Sequence, residues 1–252
     1  MLELKQVAAG YNGRSVLSDV SLRVNAGEAV AIVGRNGSGK STLLKAVAGF
    51  ACVTAGSVLI GGKDVTSLRP EVRARMGLGY VMQHGGTFRS MSVREHFELG
   101  GHALNDAVAF KRQRDFALGA FPQLEAVMNR PVAELSGGLQ RMTGIATVLM
   151  TRPALVLLDE PSLGLSPAML SAMTRALKLL AETGLGVVVA EQKPLSVFPI
   201  CTGAHLLAEG KLRLSGTPTE LLGHALFRRV YLGEPESGGM ETAEETECPV
   251  SE

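Results

Sequence analysis

The chain contains no tryptophan and only three tyrosines among 252 residues. Without aromatic rings interleaved among basic side chains there is no stacking platform for bases, and no Lys or Arg cluster runs along any segment. The sequence therefore does not argue for a nucleic-acid partner. Cysteine is equally scarce: Cys52, Cys201 and Cys248 are odd in number, far apart and never in a CxxC spacing. That excludes a disulfide framework, gives no zinc signature and fits a reducing cytoplasm. The histidines, His84, His96, His102, His205 and His224, share no spacing suited to a metal. No apolar run approaches the ~20 residues of a spanning helix, and Met1 leads straight into LELKQV without the basic and apolar regions of an export signal. Any membrane role is expected to come through partner chains.

Net charge is small as well, at +1, but it is unevenly laid out. Glu234 to Glu252 hold seven Glu and no Lys or Arg, so residues 1–233 carry 25 basic against 17 acidic groups, an excess of +8. That excess is mild for its length. The chain is 46% hydrophobic, enough for a proper core. The stretch 234–252 has like charges and no periodic apolar face, and reads as a disordered acidic tail.

Alternation in LELKQV (2–7) and SVLSDVSLRV (15–24) predicts two strands, with the turn signal Asn12-Gly13 between them. EAVAIVG (28–34) is a short apolar strand running into a glycine-rich turn, and a helix follows over 41–49. SVLIGG and LGYVMQ predict further strands. Residues 92–130 show helical spacing with Arg and Lys on the polar side and no strand candidate, as in a helical insertion. From 137 the order is helix, strand ALVLLDE, helix Pro167 to Glu182, strand LGVVVAE, then a β-rich return through HLLAEG and KLRLSG. Apolar strands alternating with helices predict an α/β fold with a mostly parallel sheet covered on both faces.

Three clusters carry chemistry. GRNGSGKST (Gly34, Arg35, Asn36, Gly37, Ser38, Gly39, Lys40, Ser41, Thr42) fits G-x-x-x-x-G-K-[ST] between a predicted strand and a predicted helix. In that pattern glycines let the backbone approach phosphate, Lys40 meets the β- and γ-phosphates and the Ser41 hydroxyl binds Mg²⁺. LVLL followed by Asp159 and Glu160 ends a buried strand in two carboxylates, which is costly unless they meet a cation or water. Asp159 is placed on the Mg²⁺ shell, and Glu160 can activate the attacking water. In LSGGLQRM, Ser136, Gly137 and Gly138 precede an apolar helical run, the form of a helix N-terminus that receives an anion. Capping alone would also account for it.

Together, in this order, the three resemble the nucleotide-binding subunits of ABC transporters over about residues 2–233. GRNGSGKST resembles the Walker A motif, LVLLDE the Walker B, Gln83 in GYVMQH the Q-loop glutamine, which shares the Mg²⁺ and water site, and Leu135-Ser136-Gly137-Gly138 the signature. The resemblance implies a P-loop NTPase fold of the ABC type, with an antiparallel β subdomain and a helical subdomain at about 87–150. It implies ATP and Mg²⁺ as ligands and Tyr11 as the aromatic that stacks on adenine. It also implies a head-to-tail pair in which the signature of one subunit closes on the γ-phosphate held by the other. Integral-membrane permease subunits, a second ATP-binding subunit and, indirectly, an external solute-binding protein are the implied partners, at the cytoplasmic face of the membrane.

The departures narrow the family. Gly164 and Ser166 stand where most members have Ala and Asp, Gln192 stands in place of the switch histidine, Leu139 replaces the usual Gln or Glu, and Thr147 stands where Arg is frequent. FPQL (121–124), EPSLGLSP (160–167), the strand-end AEQ and YLGE (231–234) are together similar to the ATP-binding subunits of branched-chain amino acid importers. Those commonly pair two different ATPases. Because an amide does not titrate near neutrality, Gln192 is expected to position water or phosphate, with Glu160 as the base. Arg94 and Glu95 lie where the family contacts its permease, or on a solvated helix face. Rival readings are the same role with urea or short amides as cargo, a soluble ABC ATPase of nucleic-acid repair or translation, and a P-loop kinase.

Overall fold

The computed structural model describes residues 1–83, 86–104 and 106–232. The tail at 234–252 and His84 lie outside the described residues. The strands are β1 (Leu2–Tyr11), β2 (Arg14–Val24), β3 (Ala29–Val33), β4 (Cys52–Ile60), β5 (Lys63–Asp64), β6 (Leu78–Val81), β7 (Leu155–Asp159), β8 (Gly186–Glu191), β9 (Gly203–Ala208) and β10 (Lys211–Gly216). The helices are α1 (Lys40–Ala48), α2 (Pro70–Arg75), α3 (Val93–Gly100), α4 (Ala107–Ala120), α5 (Gly137–Leu149), α6 (Pro167–Glu182), α7 (Pro218–Gly223) and α8 (Ala225–Leu232).

A four-stranded antiparallel sheet runs in the order β2-β1-β4-β5, and a six-stranded sheet in the order β10-β9-β3-β8-β7-β6. The latter is parallel from β9 to β6, with β10 antiparallel at its edge. Every residue of β3, β7 and β8 is buried, as expected for strands covered on both faces. Alternate side chains divide them between two cores. Val30, Ile32, Leu155, Leu157 and Val188 pack with α1 and the antiparallel sheet, whereas Ala31, Val33, Val156, Leu158 and Val189 pack toward α5 and α6. Each fully buried Val, Leu or Ile contributes roughly 1.5–3 kcal/mol of transfer free energy.

Asn12 (φ 49) and Gly13 (φ 76) form the left-handed two-residue turn that joins β1 to β2. β4 starts at Cys52, well before the expected Ser57. Its first half is irregular, because Gly56 (φ +76) lies so close to β1 that a Cβ there would sit 2.3 Å from the Lys5 and Gln6 carbonyl oxygens. α2 carries no periodic signal and is organised by one side chain. Arg73, buried, donates to the carbonyls of Leu68, Ala46, Val47 and Thr66. Parallel strands place the C-terminal ends of β3, β6, β7 and β8 along one edge, and the phosphate loop, Gln83, the Asp159-Glu160 pair and Gln192 follow from those ends, whereas Ser136 caps α5 elsewhere.

Candidate functional site

The loop after β3 is shaped by its glycines. A Cβ on Gly34 would lie 2.4 Å from both the Leu207 carbonyl oxygen and Ser38 Oγ, so only glycine fits. Gly39 (φ 107) turns the chain into α1. Ser38 is buried with an unpartnered hydroxyl, while Arg35, Asn36 and Gly37 are exposed. Lys40 is the first residue of α1 and is buried; its Nζ donates to the carbonyls of Gly34 (2.9 Å) and Arg35 (3.3 Å). The first turn of α1 contains no acidic residue, and its free N–H groups and dipole favour an anion.

Four of the sequence-expected residues meet Lys40 here. Ser41 Oγ donates to Asp159 Oδ1 at 3.1 Å. Gln83 Nε2 donates to Glu160 Oε2 at 2.7 Å, and Lys40 Nζ lies 3.5 Å from Glu160 Oε1. Burial pushes the Asp159 carboxyl above its ordinary range and Glu160 adds to this, against the Ser41 hydrogen bond and Lys40. The oxygen donors of Ser41, Asp159 and Gln83 suit a hard divalent cation, and the raised Asp159 marks a carboxylate that lacks full compensation.

Glu160 adopts φ 48, an uncommon left-handed backbone for a non-glycine residue. It is held from several sides: its N–H donates to the Ala190 carbonyl (2.9 Å) and its own carbonyl accepts from Arg141 Nη1 (3.1 Å). Such strain costs of order 1–3 kcal/mol and persists where the surroundings over-determine it. Arg141 and Glu191 were not singled out in the sequence. Arg141 lies five residues after Ser136 within LSGGLQRM, and Glu191 is the acid of the strand-end AEQ; a buried strand ending in a carboxylate is the signal that could have found the latter.

The remaining expected residues stand apart. Ser136 is the exposed N-cap of α5, accepting from the Leu139 N–H (3.4 Å); Leu135 is buried and Gly137 exposed. Gly138 is buried against Met169. Among the described residues, no hydrogen bond or ion pair joins 135–138 to 34–42. Tyr11 is exposed at the end of β1. Thr42 is buried in α1. Gln192 is exposed, and no side-chain hydrogen bond joins it to another described residue.

Comparison with known proteins agrees with this arrangement. The ABC transporter family matches residues 17–163. A probable branched-chain amino acid transport ATP-binding protein, LivF, from Archaeoglobus fulgidus is 36% identical, over 92% of this chain and 99% of the relative. The lipopolysaccharide export system ATP-binding protein LptB of Escherichia coli is 35% identical, over 92% of this chain and 97% of its own. An ATP-binding subunit of an ABC transporter superposes with a TM-score of 0.80 at 26% identity, covering 92% of this chain and 98% of that one. A dimeric ATP-binding cassette bound to ADP and phosphate superposes with a TM-score of 0.77 at 25% identity, covering 86% of this chain and 99% of that one. With its phosphate loop, paired strand-end carboxylates and two-sheet cassette in family order, the chain belongs to the ABC transporter family as an ATP-binding subunit.

Proposed function

We propose that the chain is the ATP-hydrolysing subunit that energises a membrane importer for branched-chain or related amino acids. The observation that supports the catalytic part is the set of contacts at Glu160, whose carboxylate is approached by Gln83 at one oxygen and Lys40 at the other. The 34–39 loop and the start of α1 receive the phosphates through backbone N–H groups, and Lys40 adds charge at the β- and γ-phosphates. Tyr11 offers its exposed ring to adenine. Ser41, Asp159 and Gln83 would hold Mg²⁺, which neutralises phosphate charge when bound. Glu160 takes the proton of the attacking water while Gln83 orients its carboxylate, and Gln192 positions phosphate or water by hydrogen bonding.

Ser136 and Gly138, which share no hydrogen bond with this chain's own loop among the described residues, serve the nucleotide of a second ATP-binding subunit, with Leu135 and Gly137 completing the motif. ATP then joins two subunits, hydrolysis releases them, and integral-membrane permeases move between states. A solute-binding protein outside selects the cargo. The subunit works at the cytoplasmic face of the membrane as a peripheral component.

Glu160→Gln tests the chemistry. The amide still hydrogen-bonds but takes no proton, so turnover should fall by about 10²–10⁴-fold with nucleotide binding retained. Near-parental ATPase in that variant, assembled with its partners, sinks the assignment. Cargo is tested in the assembly formed with its permeases: leucine-loaded binding protein should stimulate ATPase, whereas stimulation by urea or a short amide would redirect the reading. The near-equal identity to LptB supports a second reading, an export partner; retention of a lipopolysaccharide-type glycolipid by the assembly, without any solute stimulation, decides for it.

A further inference from the structure

Glu191 ends β8 as a carboxylate only 2% exposed, beside the strand that ends in Asp159 and is followed by Glu160. The register pairs Asp159 with Ala190, so Glu160 and Glu191 leave adjacent parallel strands side by side. Glu191 Oε1 accepts the Ser162 N–H at 2.8 Å, two residues beyond Glu160. The segment it grips is a compact turn: the Leu163 N–H donates to the Glu160 carbonyl (3.2 Å), the Leu165 N–H to the Ser162 carbonyl (3.2 Å), and Gly164 takes φ 75. Arg141, which donates to the Glu160 carbonyl, has Glu191 as its foremost charge partner, ahead of Glu160 and Asp159. A buried carboxylate beside another carboxylate is costly, and its location at the site rather than in a remote core points to function.

We propose that Glu191 is a positioning residue for hydrolysis: its bond to the Ser162 N–H fixes the turn after Glu160 and so holds the strained Glu160 backbone and its carboxylate in line for the water. The inference rests on Glu160 acting as base. Glu191 touches no reacting atom and acts only through the 160–165 turn. Reach, rather than charge, is then the property that matters.

Two variants of the full chain, assembled with its partners, separate reach from charge. Glu191→Gln keeps an acceptor oxygen at the same length, whereas Glu191→Asp keeps the charge but withdraws it by about 1.5 Å, one carbon–carbon bond. Glu191→Gln should retain kcat within about threefold and Glu191→Asp should lose roughly tenfold or more, both with ATP affinity within about twofold of the parent. An Asp variant as active as the Gln variant, or loss of ATP affinity in step with rate, overturns the proposal. Glu160→Gln run alongside keeps the two readings apart. If that variant is inactive while Glu191→Asp is normal, only the role of Glu191 fails; if it turns over normally, the base itself is misassigned.

Discussion

Gln83 and Glu160 come from the ends of adjacent strands on the same sheet edge, and the amide of the first donates to the carboxylate of the second at 2.7 Å. The contact gives Glu160 a defined oxygen orientation that a flexible carboxylate otherwise lacks. Gln83→Leu removes the donor and leaves the phosphate loop untouched. It should lower kcat by about tenfold, while nucleotide affinity measured without Mg²⁺ changes little, the pattern of a lost transition-state interaction. Gln83→Glu should do worse, because it sets a second carboxylate against Glu160 Oε2 and disfavours the ionised base. Steady-state ATPase and equilibrium nucleotide binding on the same preparations check both.

Arg73 offers a different expectation, about stability. Its guanidinium satisfies four carbonyls, two of them, Ala46 and Val47, at the negative end of α1, the helix that begins at Lys40. Burial lowers the Arg73 pKa, with the charge of Asp64 opposing. Arg73→Met fills the space but leaves the acceptors unmet, and should cost roughly 3–5 kcal/mol. That corresponds to a fall in Tm on the order of 10 °C for a chain of this size. Arg73→Lys should not restore it, since a single ammonium cannot reach acceptors spread around a planar fork. A loss within about 1 °C in thermal melts contradicts the account.

Local chemistry decided which features were legible beforehand. Asn12-Gly13 specifies a left-handed turn by residue type, and Lys40, Ser41, Asp159 and Glu160 lie at strand ends whose apolar runs are unmistakable. Gln83 was legible only because the surrounding motifs resemble a family. β4 was read five residues short because its early residues are held by the close approach of Gly56 to β1, a contact with no periodic trace. α2 depends on one buried arginine whose partners lie on other segments. α7 was overlooked for no such reason: Thr217 and Glu220 form a capping box with Pro218 at the first helical position. Glu191 was passed over because its meaning comes from Ser162, 29 residues away in sequence.

The signature offers a test in which this chain's own site serves as the control. Ser136 caps α5 and is exposed, so Ser136→Arg should lose about 1 kcal/mol of capping and otherwise leave the fold intact. ATP binding by the mutant chain's own 34–42 loop should persist, while ATP-dependent pairing with the facing subunit should be lost, because a bulky cation occupies the place of a small hydroxyl. Size-exclusion chromatography of a Glu160→Gln background, with and without ATP, reads the pairing. Loss of ATP binding in the isolated mutant, with its fold retained, would mean the signature serves its own nucleotide.

Glu191 also carries a pH signature in stability. Burial raises its carboxyl above the usual value of 4.5, with Glu160 adding to the shift, while hydrogen bonds from Ser162 and the Gln192 N–H oppose it. The titratable groups around it are Glu160 beyond β7, Arg141 on α5 and the Tyr231 phenol on α8, which burial keeps neutral. A carboxyl whose folded value exceeds its unfolded value binds its proton more tightly in the folded state. Between the two values the folded chain holds more protons than the unfolded one, so stability falls as pH rises through that interval. Below about pH 4 both states are protonated and the penalty vanishes; it grows as pH rises through the interval and is fully present above the folded value. Glu191→Gln removes the ionisation and keeps an acceptor for Ser162. Its Tm should exceed that of the parent at about pH 7, and the gap should close on acidification toward about pH 4. A variant that is less stable at neutral pH, or a gap that widens in acid, would show that the ionised carboxylate stabilises the fold and that its burial is repaid by Arg141.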